Sequence, residues 1–404
     1  MWITATKCLW WSSLLVLAYT YAGYPLLLWF WSRVLVRPRL ALPEPGDTPF
    51  ISLIITAYNE QLHLAAKLAN TMALDYPPER LEVIVVSDCS TDGTDAIATA
   101  FAERADNRFP LRLLRMSQRE GKTMAQNAAV AIARGDILLF SDATSVYQSD
   151  VPRAILKGFV DARVGCVSGR LIYADPGKTN VGRGAQLYWG FETFLKQCES
   201  RCGSLIGVSG CLYAVRHDAY TPLHAEACSD FIIATIMVER GLRAVYEPAA
   251  VCIEETNRSA RPELNMRVRI VAQTLSDLWR HRAMFNPLRS GFYAIQLFSH
   301  KLLRYCTPLP LLACLTASLV LMRQSPFFAV AAALQSLLYT FAALGWLADR
   351  YQKRQRLLSL PLYFVLTNIA SALGFCQFLR GRKYAHWETN RRFDATSKGG
   401  EIDV

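Results

Sequence analysis

The feature that most constrains this chain is a set of four stretches apolar enough to cross a lipid bilayer. Residues 8–30 form one run without a charge, and residues 306–322, 327–348 and 357–379 form three more. A helix needs about 20 predominantly apolar residues to span the hydrocarbon core. Between these runs, residues 48–285 read as an ordinary globular domain. The split explains a hydrophobic fraction of 52% beside only 19% charged residues, which is apolar for a soluble enzyme. The expected order is an anchor and linker over residues 1–47, a globular domain over 48–257, a basic amphipathic segment over 258–300, and a hydrophobic block with a basic tail over 301–404.

Charge fixes an orientation. Only Lys7 precedes the first run, whereas Arg33, Arg37 and Arg39 follow it. Basic residues favour the cytoplasmic side, and a cleavable signal peptide would carry its charge in front. The reading is an uncleaved anchor with the globular domain in the cytoplasm. The net charge of +11 would also suit nucleic acid. Its arginines crowd beside the apolar runs, however, at Arg258, Arg261, Arg267, Arg269, Arg280, Arg282 and Arg289. Contact with anionic membrane lipid is the better reading, with no nucleic acid as partner. The 11 cysteines include no C-x-x-C pair, so free thiols are expected and a zinc site is not.

The globular domain reads as α/β. Residues 50–56, 81–87, 111–115 and 136–142 are short, largely β-branched or apolar runs. Helical patterns follow them at 60–74, 93–101 and 121–134. Strands alternating with helices imply a mostly parallel sheet covered on both faces. Such sheets bind ligands at the carboxyl ends of their strands. Polar residues collect at that edge: Ala57-Tyr58-Asn59-Glu60, then Asp88-Cys89-Ser90-Thr91-Asp92-Gly93, then Ser141-Asp142-Ala143-Thr144. An acidic edge takes a diphosphate when Mg²⁺ or Mn²⁺ bridges carboxylate and phosphate oxygens. Asp88 suits hydrogen bonds from a base or ribose. Gly121-Lys122-Thr123 is not the end of a P-loop, because Met116 stands where that motif needs glycine. No G-x-G-x-x-G follows the first strand.

In order along the chain these pieces resemble family 2 of the inverting glycosyltransferases, in its membrane-bound branch. The matching motifs are residues 57–60, Asp88 to Asp92, Gly121-Lys122 to Asn127, Ser141-Asp142-Ala143-Thr144, Gly207-Val208-Ser209-Gly210, and Ser229-Asp230. The resemblance covers about residues 50–285. It implies a GT-A-type fold flanked by transmembrane helices, a nucleoside-diphosphate sugar donor, Mg²⁺ or Mn²⁺, and inversion at the anomeric carbon. It implies donor contacts from Ala57, Tyr58, Asn59, Glu60, Asp88, Lys122, Asn127, Ser141 and Asp142. Asp142 would hold the metal, and Asp230 would be the catalytic base. Ser209, Gly210, Arg267 and Arg269 would meet the acceptor or the diphosphate. The acceptor would be a lipid-linked or growing saccharide in cell-surface polysaccharide or glycolipid assembly, at a bacterial inner membrane.

The chain departs from the family pattern in three places. Thr144 stands where many relatives have a second metal-binding acid, and Ser229 replaces a glutamate. The Q-x-x-R-W signature of processive synthases is missing, so short products are expected. Each residue also has a plainer reading. Asp88 suits a turn, and Asp142 or Asp230 suits a helix cap. Lys122 and Asn127 suit a solvated helix face, and Arg267 and Arg269 suit lipid contact. The stripe Tyr188, Trp189, Phe191 and Phe194 suits packing. Residues 262–282 suit a helix lying on a membrane, and residues 357–379, with Pro361 and Asn368, a bent or re-entrant segment. Two other functions fit the class: a sugar-phosphate nucleotidyltransferase, and a non-catalytic scaffold.

Overall fold

A computed structural model of the protein describes residues 1–34 and 48–385. Arg37, Arg39 and the basic tail beyond residue 385 lie outside the described residues. The chain opens with α1 (Trp2–Ala18) and α2 (Tyr24–Val34), joined without a break by one π-helical turn at Tyr19–Gly23. Together they make one candidate membrane span of 33 residues.

The globular part is one eight-stranded sheet. Its strands are β1 (Ile51–Ala57), β2 (Leu81–Ser87), β3 (Leu111–Arg115), β4 (Ile137–Asp142), β5 (Val146–Tyr147), β6 (Val164–Ala174), β7 (Leu212–Arg216) and β8 (Arg243–Glu255). Their order is β3-β2-β1-β4-β7-β6-β8-β5. The β1–β2, β1–β4, β2–β3 and β6–β8 pairs are parallel. β7 runs antiparallel to β4 and β6, and β5 antiparallel to β8. The expected mostly parallel α/β sheet is what forms.

The pleat explains why the central strands read as unbroken apolar runs. Side chains alternate between faces. Ile51, Leu53 and Ile55 therefore enter the core under α3 (Leu64–Met72) and α4 (Thr94–Ala102), while Ile54 enters the core under α5 (Lys122–Ile132). Both faces are covered, so no position in β1 or β2 is left for water, and every residue of both strands is buried. Three further helices complete the domain: α6 (Val151–Leu156), α7 (Asn180–Cys202) and α8 (Ser229–Glu239).

α9 (Ala260–Arg280) is the bracket between domain and membrane helices. It covers most of the segment expected on a membrane surface, but buries Val271, Leu275 and Leu278 in one cluster with Phe231 and Ile232 of α8 and Tyr293 and Leu297 beyond it. After it come α10 (Pro287–Ser290), α11 (Phe292–Leu297), α12 (Leu303–Tyr305), α13 (Pro308–Leu321), α14 (Pro326–Arg350) and α15 (Arg356–Leu379). α14 and α15 are each long and apolar enough to cross a membrane.

The other expected span is corrected. Residues 306–322 hold only the 14-residue α13, about 21 Å long at 1.5 Å per residue and short of the roughly 30 Å core. It pairs with the helical stretch Phe292–Tyr305 across a bend of 54°. The bend falls at Cys306-Thr307, just before Pro308 and Pro310, two residues that lack an amide donor. The broken element is therefore 292–321. Residues 357–379, read as a membrane-length run with a bent or re-entrant segment as the alternative, lie within the single helix α15 despite Pro361 inside it. Asn368 is satisfied there, with Oδ1 accepting from Thr307 Oγ1 at 2.8 Å and Nδ2 donating to the Phe364 carbonyl at 2.9 Å.

Candidate active site

The carboxyl ends of β1, β2 and β4 meet at one rim, and their loops are laced together. Asn59 takes a left-handed backbone (φ 53°), which asparagine tolerates better than most residues. Its Oδ1 accepts the Thr91 amide at 2.8 Å, and its own amide donates to Ser90 Oγ at 3.1 Å. The Glu60 amide donates to Thr94 Oγ1 at 2.8 Å. Ala57 is buried in the core. Tyr58 lies under the Arg119 guanidinium, 3.8 Å from its ring centre.

Asp88 is fully buried. Its two carboxylate oxygens accept the amides of Glu120 at 2.8 Å and Gly121 at 2.9 Å. Gly121 has φ 95°, a turn that a side chain would strain. Asp88 thus fixes the start of α5 and aims Lys122. It does not line the cavity described below, so its bonds suit a positioning residue rather than the expected contact with base or ribose.

Lys122 reaches across to Asp142, the last residue of β4, and the two form an ion pair. Burial pulls the Lys122 ammonium down, but Asp142, with Asp230 and Glu254 behind it, more than offsets this and holds it above its usual range. The turn after Asp142 is held from beneath. Lys67 Nζ donates to the Ser145 carbonyl at 2.9 Å and lies 3.7 Å from the centre of the Tyr147 ring. Burial lowers this ammonium to about 8. Ser141, expected at the donor, is buried with its hydroxyl 3.2 Å from Ser145 Oγ. Asn127 is also a framework residue. Its amide nitrogen donates to the Leu223 carbonyl at 2.7 Å, and its oxygen accepts from Tyr220 at 2.8 Å and the Leu223 amide at 3.0 Å.

Asp230 enters from the other side. The N-cap of α8 is Cys228, so Asp230 sits inside the first turn and is not the cap the sequence allowed. Cys228 Sγ donates to its Oδ1 at 3.0 Å. The Asp230 carbonyl accepts the Val208 amide at 2.7 Å, which clips the 207–210 loop to α8. Gly210 packs close against Asp230: a Cβ added there would come within 3.2 Å of Oδ2, so the carboxylate would have to shift. Ser209 is internal instead: its hydroxyl donates to the Gly169 carbonyl at 3.1 Å and accepts from Lys196 Nζ at 3.0 Å.

Glu60, Lys122, Asp142, Gly210, Asp230, Arg267 and Arg269 all line one cavity of about 1130 Å³. Arg267 pairs with Glu263 at 2.7 Å and stacks 4.5 Å from the Tyr188 ring centre, so it is not a lipid-facing arginine. Tyr188, Trp189 and Phe191 join the wall, as do Tyr21, Thr307 and Asn368 from the apolar helices. The cavity therefore runs from the strand ends into the helical block. Glu254, at the end of β8, was missed by the sequence reading and accepts from Thr144 Oγ1 at 3.0 Å. A strand-end acid is the signal that would have found it.

Among the described residues no three His, Cys, Asp or Glu side chains gather to cage a metal. The oxygen donors Asp142, Thr144 and Glu254 still fit Mg²⁺ or Mn²⁺. Such ions are held by one or two carboxylates together with substrate phosphates and water, not by an all-protein cage.

Residues 52–220 match the sequence family described as Glycosyl transferase family 2. This segment is a family 2 glycosyltransferase domain. An N-acetylglucosaminyltransferase of Rhizobium meliloti is 28% identical over 264 residues, covering 61% of each chain. A beta-monoglucosyldiacylglycerol synthase of a Nostoc species is 29% identical over 189 residues, 46% of this chain and 40% of that one. The chain thus spans between two and three fifths of these curated relatives. A mannosyltransferase of Pyrobaculum calidifontis, solved with GDP-Man and Mn²⁺, superposes with a TM-score of 0.72 at 24% identity, over 93% of this chain and 100% of that one. The family 2 domain therefore has the expected GT-A-type fold, joined to helices apolar enough to cross a membrane.

Proposed function

We propose that this chain is an inverting glycosyltransferase, moving a sugar from a nucleoside-diphosphate donor to a hydroxyl of a lipid-linked acceptor. The observation that carries this is that Asp142 and Asp230 line one cavity, both acting on Lys122, and that the cavity continues between the apolar helices. The donor lies along the strand ends. Lys122, aimed by Asp88, supplies a fixed positive charge to the diphosphate beside Asp142. Asp142, Thr144 and Glu254 would hold Mg²⁺ or Mn²⁺, which when bound neutralises charge on the leaving diphosphate. Asp230 takes the proton from the acceptor hydroxyl as that oxygen attacks the anomeric carbon. A single displacement inverts the centre. Glu263 holds Arg267 at the wall, where it meets the diphosphate or acceptor. A scaffold would not need Lys122, Asp142 and Asp230 kept at one cavity, and a nucleotidyltransferase would not need the path into the helices.

The domain faces the cytoplasm, where nucleotide sugars are made. The Arg33, Arg37 and Arg39 cluster after the first span supports this side. The test uses sealed vesicles of both orientations, a panel of labelled nucleotide sugars and membrane lipid extract. One nucleotide sugar should be consumed, and label should enter the lipid fraction, only when the cytoplasmic face is outside. No consumption of any donor, or consumption from the opposite face, overturns the reading.

A further inference from the structure

The helix-side half of the cavity carries positive charge that the transfer reaction does not use. Most ionised groups there are matched. Arg304 pairs with Glu192, and Arg267 with Glu263. His300 lies 3.3 Å from Glu192 and 2.5 Å from Glu199. Two lysines remain. Lys196, on α7, is 6% exposed, and among the described residues its Nζ donates only to the neutral Ser209 hydroxyl, with the Trp189 ring centre 4.9 Å away. Lys301, between α11 and α12, makes no hydrogen bond or ion pair among the described residues; its Nζ lies 5.8 Å from the Phe231 ring centre, within the influence of Glu192 and Arg304. Both line the cavity. Burial, opposed by Glu192 and reinforced by Lys301, holds the Lys196 ammonium below its usual range. Glu192 is the carboxylate that acts on both lysines, but it already pairs with Arg304 and His300, so this wall keeps an excess of positive charge that a bound anion would offset.

Their position says which anion. Asp230 acts on Lys196 as well as on Lys122, and Phe231 beneath Lys301 is its chain neighbour. The donor's diphosphate has Lys122 and Asp142 on the sheet side. Lys301 belongs to the helical stretch Phe292–Tyr305 that leads to Thr307, which with Tyr21 and Asn368 carries the wall into the apolar helices. We propose that Lys196 and Lys301 bind a phosphate of the acceptor, which is a lipid joined to its headgroup through a phosphate or diphosphate, with the reacting hydroxyl toward Asp230. This deepens the glycosyl-transfer reading and rests on it for the identity of the acceptor. Charge-assisted hydrogen bonds to phosphate oxygens supply the recognition, and the apolar helices receive the tail.

The test is calorimetric titration of the detergent-solubilised full chain with farnesyl phosphate, farnesol and sodium phosphate. Farnesyl phosphate should bind at least tenfold more tightly than either of the others. Lys196→Met and Lys301→Met should each weaken it about tenfold or more, whereas Lys301→Arg, which keeps the charge, should bind within about twofold of the parent. Thermal melting of each variant shows whether it is folded. If a Met variant is not, the three-ligand comparison on the parent and the Lys301→Arg protein still decides. Equal binding of farnesol means a neutral lipid and overturns the proposal, as does unchanged affinity in folded Met variants. Sodium phosphate binding as tightly as farnesyl phosphate means a free anion and overturns the lipid source. Sugar transfer by the parent is measured separately. Phosphate-lipid binding without any transfer would sink the transferase reading and leave this site standing; transfer without phosphate preference would sink this site alone.

Discussion

Asp230→Asn is expected to slow sugar transfer by roughly 10²–10⁴-fold, the usual cost of losing a general base, while donor binding stays close to that of the parent. Asparagine keeps the shape of the side chain and an oxygen for the Cys228 thiol, but cannot take a proton. A purely structural Asp230 would be nearly indifferent to the change. Cys228 is the N-cap of α8, and Asp230 accepts no backbone amide through its side chain there. Gly210, whose added Cβ would lie 3.2 Å from the carboxylate, leaves room for either residue. Single-turnover transfer and equilibrium donor binding, measured on the same preparation, separate the two cases. Near-normal transfer by a folded Asp230→Asn protein would remove this residue from the proton transfer.

The second large effect concerns the divalent ion. Excess chelator is expected to abolish turnover, and added Mn²⁺ or Mg²⁺ to restore it. Asp142→Asn should cut the metal's enhancement of donor binding by at least the roughly 10–100-fold that loss of even an outer partner costs a metal site. The asparagine variant is better than alanine, because Lys122 keeps a polar neighbour after its ion pair is gone. The alternative is written into the same geometry. Lys122 offers a permanent positive charge beside Asp142, held above its usual range by that carboxylate against burial. Full turnover in excess chelator would pass the work of charge neutralisation to Lys122.

How much of this was legible beforehand follows from how local each cause is. β2 begins and ends where its apolar run does, since a strand buried on both faces needs continuous apolar sequence; the half-buried edge strand β3 keeps the bounds of its short run as well. Asp142 and Asp230 were legible because strand ends and the glycine-rich turn are sequence neighbours of the acids they present. The antiparallel placement of β7 was not, because it depends on which edge of the sheet is open when that segment arrives. The bend at residues 306–308 was misplaced because length and hydropathy measure span but not direction, and Pro361 drew attention to the wrong helix. Asp88, Asn127 and Ser209 matched the motif, yet their side chains bond amides and carbonyls remote in sequence. Lys196 and Lys301 look like helix-face lysines until the fold brings them to one cavity, and Lys67 looks like one until the fold buries it under the Ser145 turn.

The central claim is a direct displacement in the cavity, with Asp230 as the base and the leaving diphosphate at Asp142 and Lys122. The measurement that tests it most directly is the anomeric configuration of the transferred sugar, read by one-bond carbon–hydrogen coupling in the isolated lipid product. An α-linked donor should give a β-linked product. A product that keeps the donor's configuration would contradict the single displacement, and with it the role assigned to Asp230.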